Sequence, residues 1–407
     1  MAQKFYPCDR DQLMLMPPSL EEWLGTGHLA RFLRSAVEVM DLSALYEGFR
    51  EDGLGGTSYE PRMMTEVLLY GYCVGVRSSR KIEKKCDEDV AFRYLAVNHR
   101  PDHATLARFR AEREKELERL FTEVLKLCKE AGLLKVGIVA LDGTKIRANA
   151  AMSANKTLDT IQEEVKRLLA EAKKADEEED LKYGKDKRGD ELPKELIDEK
   201  ERLGRLLACK ERLEQRAREA MEKQEEKIAS REAAQQESGQ ASRGRKPKTP
   251  QEMVDTEAKA NVTDPESRIM KTRKGYVQGY NAQAVVTERQ IMIAAEVTQE
   301  ENDQGQLKAM MGAAQATLKK IGYARRMGTA LADAGYGCER NLEWAADGHG
   351  KTDYLIATLK DWKQRKALRN EPAPVGRIPR GMNVRDRMER KLRTHRGRRL
   401  YKKRGCT

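Results

Sequence analysis

Apolar positions follow a helical period in the first third of the chain and a strand period later. Up to about residue 134 the pattern is helical. Pro61 to Val76 is rich in Met, Leu and Tyr and runs out at Gly75-Val76-Arg77. Pro101-Asp102-His103-Ala104-Thr105 has the composition of a helix start, with Asp102 or Thr105 as the capping side chain. Leu106, Phe109, Leu117, Leu120, Phe121, Val124, Leu127 and Cys128 then recur at mostly three- and four-residue steps. This predicts one amphipathic helix closed by Gly132. The period then changes. Lys135-Val136-Gly137-Ile138-Val139-Ala140-Leu141 is short, apolar and partly β-branched, which predicts a buried strand ending at Asp142-Gly143-Thr144.

From Asn155 to Ser238 the residues are mostly Glu, Lys, Arg, Ala and Leu, broken near Tyr183-Gly184 through Pro193. Two charged helices forming an antiparallel hairpin are expected. Gly239 to Pro250, rich in Gly, Ser, Pro and basic residues, reads as a linker. Strand patterns resume at Gly275–Val286, Ile291–Thr298, Thr329–Asp333 and Asp353–Ala357, with helices at Gln306–Ile321 and Glu339–Ala346. The fold class expected is α+β or α/β, a mixed sheet with helical cover. The expected domains are 1–134, helical; 135–154 with 251–407, the sheet domain; and 155–250, the insertion and linker.

Charge sharpens this picture. The net charge is +12, yet Asp361–Thr407 alone holds 17 Lys+Arg against 4 Asp+Glu, so the rest is close to neutral. Such a block attracts phosphate and releases counterions when it binds, or it serves as a solvated tail. The longest apolar runs fall far short of the ~20 residues that span a bilayer. The N-terminus lacks an apolar signal core. The 7 cysteines form no CxxC pair, so neither a zinc site nor a disulfide framework is expected. These features predict a soluble, cytoplasmic chain with reduced thiols.

Two residues stand out chemically. Asp142 and Asp333 each end a short apolar strand, and each is followed within two residues by glycine. Carboxylates at the ends of neighbouring strands converge and repel unless a cation lies between them. Mg²⁺, with Mn²⁺ as the alternative, takes oxygen ligands and needs few carboxylates. Taken singly, each aspartate is equally a turn or cap residue. Asn261-Val262-Thr263-Asp264-Pro265 is a local turn or a polar rim. Tyr276, Gln278, Tyr280 and Gln283 either line a nucleic-acid groove or are half-buried strand residues. Gly53-Leu54-Gly55-Gly56 lacks the lysine of a phosphate-binding loop. The five histidines have no metal spacing.

Several segments together resemble the DDE transposases of bacterial insertion sequences. They are Ala140-Leu141-Asp142-Gly143-Thr144-Lys145-Ile146, Asn261-Val262-Thr263-Asp264-Pro265-Glu266-Ser267, Gly279-Tyr280-Asn281-Ala282-Gln283 and Ala332-Asp333-Ala334-Gly335-Tyr336. Tyr70-Gly71-Tyr72, Arg77-Ser78-Ser79-Arg80-Lys81-Ile82 and Pro101-Asp102-His103 to Arg108-Phe109-Arg110 resemble the helical domain of the same group. The resemblance implies a ribonuclease-H-like catalytic domain with three acids, the first two being Asp142 and Asp333, and Mg²⁺-dependent cleavage and transfer of DNA at element ends. It also implies double-stranded DNA and a second copy of the chain as partners, and no membrane. Arg80, Lys81, Lys145, Arg147, Arg398, Arg399, Lys402, Lys403 and Arg404 are the candidate DNA contacts. In similar transposases the third acid is a glutamate beyond a Tyr-x-x-Arg element, which Tyr401-Lys402-Lys403-Arg404 matches. Glu343 and Glu389 both precede that element, Glu389 being the nearer stand-in. The expectation is therefore a truncated chain, inactive or acting as a DNA-binding competitor.

Overall fold

The computed structural model of the chain describes residues 19–47, 58–167, 194–238, 258–272, 275–348, 352–359, 370–379 and 381–406, with 170, 249 and 366. The Gly53–Gly56 loop, the break at 183–193, His349 and all of the linker except Thr249 lie outside the described residues. The chain divides into two units, Met1–Lys135 with Ala316–Ala324, and Val136–Gln315 with Arg325–Thr407.

The first unit contains α1 (Leu29–Glu38), α2 (Ser43–Tyr46), α3 (Pro61–Cys73), α4 (Ser79–Glu88), α5 (Val90–Leu95), α6 (His103–Glu112) and α7 (Glu114–Glu130). Pro61 opens α3, where its missing N–H costs nothing, and the Glu60 carboxylate accepts from the Met63 N–H at 2.7 Å. Asp102, rather than Thr105, caps α6 by accepting from the Thr105 N–H at 2.9 Å. Met64, Leu68, Ile82, Phe92, Leu95 and Leu106 meet in one core, with the Tyr70 and Phe92 rings edge to face at 4.9 Å. The single helix expected from Leu106 to Cys128 is two helices, broken at Arg113 (φ −110°, ψ 25°). Ala111 is the only apolar side chain between 110 and 116. No core contact therefore holds the helix straight there, and the Arg113 guanidinium donates instead to the Glu47 carbonyl at 2.7 Å.

The second unit is built on a mixed sheet. Its strands are β1 (Ile138–Arg147), β4 (Arg268–Thr272), β5 (Gly275–Thr287), β6 (Met292–Thr298), β7 (Thr329–Ala332) and β8 (Asp353–Ile356), in the order β4-β5-β1-β7-β8. A two-stranded sheet pairs β2 (Asn155–Thr157) with β3 (Lys259–Asn261). β5 is antiparallel to β4, β6 and β1, whereas β1, β7 and β8 run parallel. β4 and β6 share one edge of β5, pairing with 275–279 and 281–286 respectively. The class is α+β, of ribonuclease-H-like form.

The expected end of the first strand at Asp142 needs correction. β1 continues to Arg147, because β5 still pairs with it from Asp142↔Ala284 to Arg147↔Gly279. Only the parallel partner β7 stops, at Leu141↔Ala332. Local sequence reports the buried half of β1. The polar half is a strand because β5 completes its hydrogen bonds.

Two further helices bridge the strands, α10 (Gln306–Lys320) and α11 (Glu339–Ala346). The last two, α12 (Val384–Arg393) and α13 (His395–Lys402), bring Leu392, Leu400 and Tyr401 onto Ile138, Ala140, Leu331 and Leu355 of the sheet. In the inserted stretch, α8 spans 158–167 and α9 spans Lys194–Ser238. Ile161, Val165, Leu206, Cys209, Leu213 and Ala260 form a separate apolar cluster there. Glu164 beside it accepts from both Lys156 and Arg202. Among the described residues no helix is long and apolar enough to cross a membrane.

Candidate active site

Asp142 and Asp333 reach the same level of the sheet by register. Leu141 pairs with Ala332 across parallel β1 and β7, so Asp142, still paired with β5, and Asp333, the first residue past β7, follow at the same level. Ligands in open sheets of this kind gather at the carboxyl ends of parallel strands. Asp142 is exposed and Asp333 half-buried. Each carboxylate is oriented by the backbone just after it. Asp142 Oδ1 accepts from the Gly143 N–H at 2.9 Å, and Asp333 Oδ1 from the Gly335 N–H at 2.7 Å.

Asp142 Oδ2 faces a cation, the Arg404 guanidinium at 3.2 Å. Arg404 follows α13, whose Tyr401 hydroxyl donates to the carbonyl of Ala332, the residue before Asp333, at 3.2 Å. The Tyr-x-x-Arg element is thus anchored at the strand ends by one side chain and paired with the first aspartate by the other. Beside it opens a cleft of about 590 Å³, lined among others by Ala357, Thr358, Leu392, Arg398, Tyr401 and Arg404.

The remaining basic candidates sit in different surroundings. Arg80 and Lys81 are exposed in the first turn of α4, where Ile82 and Cys86 face the core. Arg147 is exposed at the end of β1. Lys145 turns inward: its ammonium nitrogen is buried, 3.5 Å from Asp303. Arg399 and Lys402 are exposed on α13, Arg398 donates to the Glu371 carbonyl at 2.7 Å, and Lys403 lies 3.6 Å from Glu288. Part of the basic block is structural. The Lys391 ammonium donates to the Tyr354 carbonyl at 2.9 Å and pairs with Asp353, and Arg390 donates to the Val375 carbonyl at 2.7 Å.

A third carboxylate lies at this end of the sheet, and no sequence pattern pointed to it. Asp303 sits just before α10. Its Oδ1 accepts from Asn281 Nδ2 and from Gln283 Nε2, both at 2.8 Å. The Tyr336 hydroxyl, fully buried, donates to Gln283 Oε1. Burial, and then the negative charges of Asp303, Asp142 and Asp333, push the Tyr336 phenol well above its ordinary range, so it stays a donor. Glu343 is exposed on α11 and Glu389 half-buried on α12. Gln278 and Gln283, read as groove or half-buried residues, are buried and bonded inward. Gln278 Nε2 donates to Ser267 Oγ at 2.7 Å. The Tyr280 hydroxyl donates to the Asp264 carboxylate at 2.8 Å; burial, and then this bond, push its phenol up. Asp264 belongs to a local turn, in which Asn261 Oδ1 accepts from the Thr263 N–H at 3.0 Å.

All the side chains at the strand ends that could bind a cation offer hard oxygen donors, which suits Mg²⁺ or Mn²⁺ rather than a soft metal. Among the described residues no group of three or more His, Cys, Asp or Glu is close enough to hold a metal by itself. The aspartate pair fits an ion that completes its shell with water and phosphate oxygens, and a guanidinium already pairs with one of its oxygens.

Two family models match the chain. Residues 18–112 match a transposase domain (DUF772), and residues 239–406 match a transposase DDE domain. Neither a curated protein nor a solved structure matches it. The helical match followed by the DDE match places the chain among the DDE transposases, and supports a transposase function. Asp333 lies inside the second match. Asp142 lies in neither, and joins the site through the pairing of β1 with β7.

Proposed function

We propose that the chain cuts and joins DNA at the ends of an insertion element, with Asp142 and Asp333 as the carboxylates that hold a divalent cation. The observation that carries this reading is the parallel register that brings these two aspartates to one level. Bound Mg²⁺ or Mn²⁺ polarises a phosphodiester and lowers the pKa of an attacking oxygen. The chain's own residues prepare that step. The Gly143 and Gly335 N–H groups orient Oδ1 of each aspartate, and Asp142 Oδ2 meets the Arg404 guanidinium, which a bound cation would displace. Arg399, Lys402 and Arg404 offer positive charge for the phosphates flanking the scissile bond. Arg80 and Lys81 offer a second basic contact on the helical unit. Joining two element ends in one event calls for two copies of the chain.

A second reading, binding of element ends without cutting, is favoured by the Arg404–Asp142 pair, which already sets a cation on the first aspartate. One experiment separates the two. The purified full chain is incubated with duplexes covering the DNA that flanks its gene, in Mg²⁺, Mn²⁺ or EDTA. The first reading expects metal-dependent nicking that falls at least about 10³-fold, some 4 kcal/mol, in Asp142→Ala and Asp333→Ala. Nicking that survives Asp142→Ala would sink it. Sequence-selective, salt-sensitive binding with no nicking at any metal level would establish the second.

A further inference from the structure

We propose that Asp303 is a positioning residue for the aspartate pair, the member of a largely buried hydrogen-bonded network that keeps the Asp142–Gly143 segment of β1 and the turn after β7 at a fixed separation. The proposal rests on the reading of Asp142 and Asp333 as the metal-holding pair, and it assigns Asp303 no contact with the metal.

The network is continuous. Gln283 Nε2 donates to Asp303 Oδ1 at 2.8 Å and to Asn281 Oδ1 at 3.0 Å, while its Oε1 accepts from the Tyr336 hydroxyl. Asn281 Nδ2 donates to Asp303 Oδ1 at 2.8 Å and to the Glu300 carbonyl at 3.2 Å. Asn341 Nδ2 donates to the carbonyls of Gln304 at 2.7 Å and Tyr336 at 2.8 Å, which ties the loop carrying Asp303 to the turn carrying Asp333. Asn281, Gln283 and Tyr336 are at most 1% exposed. Buried polar groups this well satisfied hold one geometry, because any displacement leaves a donor or acceptor unpaired.

Asp303 lies against both aspartate-bearing segments. A Cβ on Gly143, next to Asp142, would stand 2.9 Å from Asp303 Oδ1 and 2.3 Å from Gln283 Nε2. A Cβ on Gly335 would stand 3.0 Å from Asp303 Oδ2 and 2.9 Å from Asp333 Oδ1. A side chain at either glycine would displace the ends of the Asp303, Gln283 or Asp333 side chains. The Lys145 ammonium, buried 3.5 Å from Asp303, gives this third carboxylate its own counter-charge. Partners behind the ligands of a metal centre typically alter affinity 10- to 100-fold when removed.

The test uses the full chain carrying Asp303→Asn, which keeps the shape, and Asp303→Ala, with Asp333→Asn as the control. Mn²⁺ affinity is read from the spin-resonance signal of the free ion, and amide exchange is followed by mass spectrometry. The proposal expects Mn²⁺ affinity to fall about 10-fold in Asp303→Asn. Exchange should accelerate about 10-fold at 142–147 and 333–337, with α1 to α7 unchanged. Unchanged exchange at both segments together with unchanged Mn²⁺ affinity overturns it. So does a uniform rise in exchange across the chain, which would mark a merely structural residue. If Asp303→Ala does not fold, Asp303→Asn alone decides. If Asp333→Asn also leaves Mn²⁺ affinity untouched, the metal-holding role of the pair itself has failed.

Discussion

Glu66 couples the stability of the helical unit to pH. It lies in the middle of α3, 6% exposed, and burial pushes its carboxyl from 4.5 to about 7. Arg34 and Arg62 pull it down, but desolvation outweighs them. The native state therefore holds this proton up to about pH 7, whereas the unfolded chain releases it near 4.5. Between those values the native state binds one proton more, so stability falls by about 1.4 kcal/mol per pH unit. The shift of about 2.5 units gives roughly 3 kcal/mol, present below pH 4.5 and lost by about pH 7. Glu66→Gln keeps the shape and cannot ionise. It is expected to remove this slope and to protect α3 by up to about 3 kcal/mol at pH 8 relative to the wild type. The assay is hydrogen exchange of the 61–73 peptide, expressed as protection factors from pH 5 to 8. An equal slope in both proteins would refute the assignment, and a stability that rises with pH would refute its sign.

Three further outcomes follow from the packing. Phe92→Ala should cost roughly 3–5 kcal/mol of the helical unit's stability, since its ring is 1% exposed in the core, and urea unfolding reports it. Tyr280→Phe should cost about 1.5–3 kcal/mol by breaking the bond to a charged acceptor, Asp264, with thermal melting as the measure. Arg404→Gln removes a largely solvated pair and should change stability by less than about 1 kcal/mol. It should tighten Mn²⁺ binding severalfold by freeing Asp142 Oδ2, while weakening DNA binding at low salt. Weaker Mn²⁺ binding would show that the guanidinium and the ion do not compete.

Much of the sheet unit is written in short-range signals. The runs at Thr329–Ala332 and Asp353–Ile356 read as strands because parallel strands buried on both faces are continuously apolar. Asp142 and Asp333 were visible because each breaks such a run. The Asp102 cap was visible because its side chain bonds within its own turn. Signals of this kind fail where neighbours in space decide. Between 110 and 116 Ala111 is the one apolar side chain and it is exposed, and the helix breaks at Arg113.

Local pattern thus determined that a charged helical unit precedes a mixed sheet, that an aspartate closes the apolar run of two of its strands, and that the basic charge gathers at residues 361–407. The tertiary structure decided what those aspartates face. Lys145 reads as one more basic residue, yet pairing of β1 with β5 turns it toward Asp303 and away from solvent. Arg404 is distant in sequence from Asp142, yet the packing of α13 on the sheet brings the two together. Asp303, in the polar stretch Glu301-Asn302-Asp303-Gln304, looks like any loop acid. It acquires its neighbours only when β5 presents Asn281 and Gln283 from one side and the turn after β7 presents Gly335 from the other. Those contacts join residues twenty or more positions apart, and no local periodicity records them.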